Sequence, residues 1–178
     1  ETIYVPELAK DLLEQIGFEA RKSEYVDTKS GVSARMSITA YENLMSTAER
    51  RLLQSGDTNT SIRMGDFMGV IPAINGKIEL VYEGEQEGAD QISFHLINEA
   101  IKTLFPDYFT KIEKLEKAEE KGPYDTLLGW FFGSAELFIS DDLKDKEYLE
   151  LLEELTGAST IVEKHLGKLD AADHYFMI

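Results

Sequence analysis

Ser30-Gly31-Val32-Ser33-Ala34-Arg35 runs directly into an amphipathic stretch from Met36 to Leu53. Ser33 is placed to cap the helix that follows, because a serine hydroxyl accepts a hydrogen bond from a free N–H of the first turn. Arg35 then projects from that turn. A helix start favours anions through its free N–H groups and its dipole. An arginine there adds a planar fork of donors that matches phosphate. The segment reads either as a phosphate-contacting arginine on a helix start or as an ordinary capped helix with a solvated arginine.

Upstream, Pro6 opens a helix at its first position, with Leu8, Leu12, Leu13 and Ile16 as its apolar stripe. Residues 23–32 form a polar, glycine-containing loop. The Met36 helix places Ile38, Tyr41, Met45, Ala48 and Leu52 on one face. Arg50 and Arg51 fall in its last turns, where cations suit the dipole, and Gly56 ends it. Gln54 to Ser61 reads as a polar turn. A short helix from Met64 to Ile74 follows, stopped near Asn75-Gly76, and Ile78 to Tyr82 reads as a brief extended segment. Glu83-Gly84-Glu85-Gln86-Glu87-Gly88 is acidic, glycine-punctuated and free of apolar residues, the marks of a linker.

Beyond it the pattern stays helical. Ile92, Leu96, Ile97, Ala100, Ile101 and Leu104 form a broad apolar face, broken at Phe105-Pro106. Tyr108, Phe109, Ile112 and Leu115 open another helix that runs into the charged Glu116 to Lys121 segment, and Gly122-Pro123 resets the chain. Leu127 to Ile139 is apolar nearly all round and reads as the buried central helix of the second part. Tyr148 to Leu155, Ile161 to Leu166 and a last stretch from Ala171 complete the set. Strand signals are almost absent, so the expected class is all-α, with a small bundle over residues 1–80 and an acidic helical extension over 81–178.

Composition narrows the chemistry. The chain has 178 residues, 43% of them hydrophobic, and a net charge of −16. Residues 1–80 hold 9 basic and 12 acidic side chains, and residues 81–178 hold 9 and 22. All the arginines (Arg21, Arg35, Arg50, Arg51, Arg63) lie in the first part. The acidic half repels nucleic acid and anionic membrane, so neither is an expected partner. The absence of cysteine excludes disulfides, thiolate zinc sites and a cysteine nucleophile. Nothing near Glu1 reads as a signal peptide, and the longest apolar stretch, Leu127 to Ala135, is too short to span a bilayer. A cytoplasmic location is the expectation. The opening Glu1 and the apolar Tyr175-Phe176-Met177-Ile178 ending suggest a piece of a longer protein.

Other constellations point to structure rather than chemistry. His95, His165 and His174 lack the paired Glu-x-x-His pattern of a carboxylate metal site. Glu163 and His165 sit on different helix faces, and although Asp170 and His174 share one, no further ligand set accompanies them. No metal site is expected. Glu119-Glu120, Asp141-Asp142 and Glu153-Glu154 are adjacent pairs whose side chains diverge, so they read as solvated faces. Gly129-Trp130-Phe131-Phe132-Gly133 reads as core packing in preference to a docking patch. Asn59-Thr60-Ser61 matches a glycosylation sequon, with no function expected inside a cell. No phosphate-cradling glycine loop and no serine-nucleophile elbow is present. Arg35 would thus complete a site whose other walls lie elsewhere, and no catalytic residue is expected within the chain itself.

Val5-Pro6-Glu7-Leu8, Ser30 to Met36, Ala48-Glu49-Arg50-Arg51 and Arg63-Met64-Gly65-Asp66-Phe67 occur in an order that resembles the C-terminal lid of AAA+ ATPases. Within that superfamily it is closest to the MoxR and magnesium chelatase I-subunit group. There a Gly-x-Ser-x-Arg segment begins the third lid helix and carries the sensor-2 arginine; Gly31-Val32-Ser33-Ala34-Arg35 matches it. The family's proline in the short helix after the turn is missing here. The resemblance covers residues 1–80 and implies an upstream ATPase domain binding ATP and Mg2+. It casts Arg35 as the group reaching the γ-phosphate and Ser33 as support for its helix. It further implies a homo-oligomer, typically a hexameric ring, a possible von Willebrand A-domain partner, and a role in metal insertion or protein remodelling. The rival expectation is an acidic all-helical interaction module with no nucleotide role, whose second half binds a basic partner.

Overall fold

A computed structural model of the protein describes residues 2–109, 122, 124–133, 137–140 and 143–178. Helix α1 (Glu7–Lys22) begins one residue after Pro6, which takes the N-cap position at φ −55°. Proline's fixed φ and missing N–H suit a helix start. Leu12, Leu13 and Ile16 of the expected stripe are buried, Leu8 is half-buried against the same core, and Ala9 and Ala20 join them.

Helix α2 (Met36–Ser55) ends at Gly56, whose φ of 73° is the left-handed conformation a helix stop uses. The face it buries matches the expected one at Ala48 and Leu52, with Met45 half-buried beside them, and departs from it in the first half of the helix. Met36, Ala40, Leu44, Ala48 and Leu52 go inward, whereas Ile38 and Tyr41 are 62% and 40% exposed. Every fourth residue keeps to one side of a helix, and position 38 lies opposite positions 36 and 40. The alanines on the buried row let neighbouring segments approach closely. Gly69 does so from the far side: a Cβ there would fall on the Thr47 hydroxyl.

The stretch read as a polar turn contains a strand. β1 (Thr2–Tyr4) pairs in parallel with β2 (Asn59–Ser61), Ile3 opposite Thr60. Three residues are too few to show a period-two pattern. A 3-10 segment (Met64–Val70) and helix α3 (Ile71–Asn75) occupy the predicted short helix. The extended stretch after it pairs with the loop before α2 through the antiparallel bridges Val32–Ile78 and Val26–Leu80.

The expected linker is helix α4 (Tyr82–Glu87). Gly84 is its packing residue, since a Cβ there would come 2.7 Å from the Tyr25 carbonyl oxygen. Helix α5 (Ala89–Tyr108) continues through Pro106. The proline sits in the final turn, where it removes one intrahelical bond, while the Phe109 N–H still reaches the Phe105 carbonyl at 2.9 Å. Ile92, Leu96, Ile97 and Ala100 of α5 are buried against the same core as α1, α2, α3 and Phe67. An edge of the hydrophobic core therefore does not fall at residue 80.

Helix α6 (Asp125–Phe132) corrects another expectation: it buries no residue. Phe131 is 57% exposed and Phe132 84%. Of its aromatic cluster, Trp130 alone joins a small second cluster around Leu152, Leu155 and Ala158. A run apolar on all sides has no preferred face, so its sequence does not say which side is covered. Helices α7 (Asp145–Glu153), α8 (Ala158–Leu166) and α9 (Ala171–Met177) follow. Phe176 of α9 enters the main core beside Phe67, ring centres 6.1 Å apart. The helix expected over residues 108–115 and the pairs Glu119-Glu120 and Asp141-Asp142 lie wholly or largely outside the described residues.

The class is all-α. Among the described residues no helix is long and apolar enough to cross a membrane.

Candidate functional site

Helix α2 carries an arginine at each end. At its start, the loop before it is tied down by its own backbone and by the chain after α3. The Asp27 carboxylate accepts the N–H groups of Lys29 (2.7 Å) and Ser30 (2.8 Å). Those bonds, Ser30's first, hold the Asp27 carboxyl below its usual range. Gly31, at φ 67°, turns the chain and donates to the Asp27 carbonyl at 2.8 Å. The Asp27 N–H then meets the Glu79 carbonyl (2.8 Å) and the Ser33 N–H the Lys77 carbonyl (2.9 Å).

The predicted cap is displaced. The N-cap residue of α2 is Arg35, not Ser33. Ser33 stands two residues outside, its hydroxyl accepting the Arg35 N–H at 3.3 Å and its carbonyl the Met36 N–H at 2.9 Å. Ser33 still supports the helix start, two positions earlier than a side-chain cap would. Met36 is 1% exposed, so the residue after Arg35 is anchored in the core. Arg35 itself is exposed. Among the described residues its guanidinium meets no hydrogen-bond or ion-pair partner.

The other end of α2 is the reverse. Arg51 is 4% exposed, and each of its five donors has an acceptor. Nε and Nη2 grip the Asp66 carboxylate at 3.1 and 2.8 Å. Nη2 also donates to the Ser61 carbonyl at 2.8 Å. Nη1 donates to the Thr60 hydroxyl at 2.6 Å and reaches Asp145 Oδ1 at 3.4 Å. Arg63, 6% exposed, donates from Nη2 to the same Asp145 oxygen at 2.6 Å and to the Leu143 carbonyl at 3.1 Å. The Thr60 hydroxyl donates to that oxygen at 2.7 Å.

Tyr148 lies under the Arg63 guanidinium, 4.2 Å from ring centre to carbon. Burial, and then the neighbouring Arg51 charge, hold the Arg63 guanidinium below the ordinary arginine value. Burial likewise raises the Tyr148 hydroxyl. Asp66 also accepts the Arg63 backbone N–H at 2.8 Å. Among the described residues no buried side-chain polar atom is left without a partner.

This network was not legible in the sequence, where Arg51 reads as a cation in the last turns of a helix that suits the dipole. One signal points to it: Arg51 lies three residues after Ala48, on the buried row, and a charge on such a row demands a partner. Nothing in the sequence names that partner, since Asp145 is 94 residues away.

The histidines sit apart. His95 meets Tyr25 edge-on, His165 Nδ1 lies 2.9 Å from the Ile161 carbonyl, and His174 Nε2 lies 3.3 Å from the Ser159 hydroxyl. Glu153 accepts the Tyr175 hydroxyl at 2.6 Å. Among the described residues no three His, Asp or Glu side chains are grouped to hold a metal. Compared with known proteins, the chain matches no family model, no curated protein and no solved structure.

Proposed function

We propose that residues 1–80 act as the lid of an AAA+ ATPase of the MoxR and magnesium chelatase type, with Arg35 as its sensor-2 arginine and residues 81–178 as an extension. One observation carries the reading. Arg35 is an exposed guanidinium that meets no partner among the described residues, on a helix start held by Met36, Ser33 and the extended stretch after α3, whereas Arg51 and Arg63 in the same part are themselves buried and paired with carboxylates. A fork of donors placed without partners on a rigid support suits a phosphate that arrives from elsewhere.

The guanidinium fits the terminal phosphate of ATP and stabilises the charge that builds on the transferring group. Its distance from that phosphate then follows the position of the lid, which ties nucleotide state to movement. The remaining walls of the site, and the carboxylates for Mg2+, belong to an upstream ATPase domain or a neighbouring subunit of a ring. A von Willebrand A-domain protein is the partner this reading favours, with metal insertion or remodelling as the task and a cytoplasmic location.

In the full-length protein, Arg35→Ala is expected to cut ATP turnover by at least about tenfold, with an unchanged circular-dichroism spectrum. An unchanged turnover removes the sensor role. The second reading, an acidic helical interaction module, then takes its place, favoured by the exposed Phe131, Phe132 and Phe138 in the acidic half.

A further inference from the structure

Arg63 lines a cavity of about 270 Å3 between the β1–β2 pair, α7 and α9. The other walls are largely apolar, with Ile62, Leu149, Ala172 and Phe176 among them. A hollow of this size and character suits a small molecule. Tyr4 and Tyr175 also line it, but their hydroxyls are committed elsewhere, to Asp173 at 3.0 Å and Glu153 at 2.6 Å.

The Arg63 side chain is 7% exposed, yet its side-chain hydrogen bonds use only one of its three nitrogens. Nη2 donates to the Leu143 carbonyl and to Asp145 Oδ1. Among the described residues, Nε and Nη1 meet no acceptor. No enclosed side-chain polar atom among those residues lacks a partner, so these two nitrogens open onto free space. The free space that Arg63 lines is this cavity. Tyr148 covers one face of the guanidinium and leaves its N–H donors unused. Asp145 does not answer the charge by itself. The same oxygen also receives Arg51 Nη1 and the Thr60 hydroxyl, and the side chain is 34% exposed. Burial and the Arg51 charge both disfavour the Arg63 cation, and a further negative charge beside it offsets them.

We propose that this cavity binds a small apolar monocarboxylate of the aromatic-acid class, its carboxylate on Arg63 and its ring against Leu149, Ala172 and Phe176. A carboxylate only accepts hydrogen bonds, which matches a wall that offers only donors from Arg63. An inorganic anion fits less well. The apolar walls give it nothing, and Asp173 and Glu153 nearby repel it, whereas an aromatic acid offsets that repulsion by burying its ring. The site is separate from Arg35 and does not depend on the role proposed for it.

An NMR titration of the full chain with benzoate tests the assignment. The amide signals of Ser61, Arg63, Tyr148 and Tyr175 should shift and saturate with a Kd of about 1 mM or below. Benzamide has nearly the same shape without the charge and should bind at least about tenfold more weakly, the scale of a charge-assisted hydrogen bond. Inorganic phosphate should be weaker by at least the same factor. Arg63→Met should abolish the saturable shifts. If that variant fails to fold, Ala172→Phe fills the cavity from α9 with the Arg63 bonds in place and should abolish them equally. No saturation up to about 10 mM benzoate overturns the proposal. Benzamide binding as tightly as benzoate overturns the role of the Arg63 charge, and phosphate doing so overturns that of the apolar walls. Saturable shifts that persist in Ala172→Phe, or in a folded Arg63→Met, place the benzoate elsewhere and overturn the site.

Discussion

Arg35 and Arg51 lie on the same helix, sixteen positions apart, and carry the same group into opposite surroundings. Around Arg35 the protein spends its hydrogen bonds on the backbone: the Asp27 turn, the Ser33–Lys77 bond and the buried Met36 fix where the helix begins, and the guanidinium is left to solvent. Around Arg51 every bond goes to the guanidinium itself, and the acceptors come from β2, the 3-10 segment and α7. A charge kept free can serve a ligand. A charge enclosed and satisfied instead specifies how the surrounding segments fit, because only one arrangement pairs all of its donors. Whether such a pair adds net stability is a separate matter, since desolvation offsets much of the attraction; removing one partner is always costly.

The widest gap between the two ends should appear on truncation. Arg51→Ala strands the buried Asp66 carboxylate and is expected to cost about 3–5 kcal/mol in chemical denaturation. Arg35→Ala should stay within about 0.5 kcal/mol of the parent, as for an exposed side chain with no partner. Equal losses would break the contrast. A smaller effect probes how tightly the buried end is packed. Gly69→Ala drives a methyl onto Thr47, which is held by its bond to the Asn43 carbonyl at 2.8 Å. The expected loss is about 1–3 kcal/mol, largely relieved by adding Thr47→Ala, and no loss would mean a looser α2 than described.

The smallest effect belongs to the exposed end and is read by pH. The Asp27 carboxyl is lowered in the folded protein, so the stability it contributes is present above its unfolded value and disappears as pH falls through the folded one. An NMR titration should show Asp27 titrating below an ordinary aspartate, with the Lys29 and Ser30 amide signals moving alongside it. A normal Asp27 titration would remove the turn as an anchor for the Arg35 loop.

How far these regions were legible follows the range of the interactions. Helices α1, α5, α7, α8 and α9 announce themselves through apolar residues three and four apart, and Gly56 and Gly157 mark where chains turn left-handed. The inward face of α2 is hard to see in the sequence because Ile38 and Tyr41 are larger than the alanines that actually pack, so the bulkiest residues mark the wrong side in its first half. The extent of α6 was overdrawn for want of any polar face to orient it. The β1–β2 pair and α4 were missed because three and six residues are too short to carry a period.

From the chain alone follow the helical class, the place of Arg35 beside a helix start and the concentration of arginines in the first part. These rest on local geometry: turns, caps and the rise of a helix act between residues a few positions apart. Which arginine stays in water and which is enclosed was settled only by the tertiary structure. Arg51 is buried because Asp66, Thr60 and the distant Asp145 close around it, and a carboxylate 94 residues away leaves no mark in the local pattern.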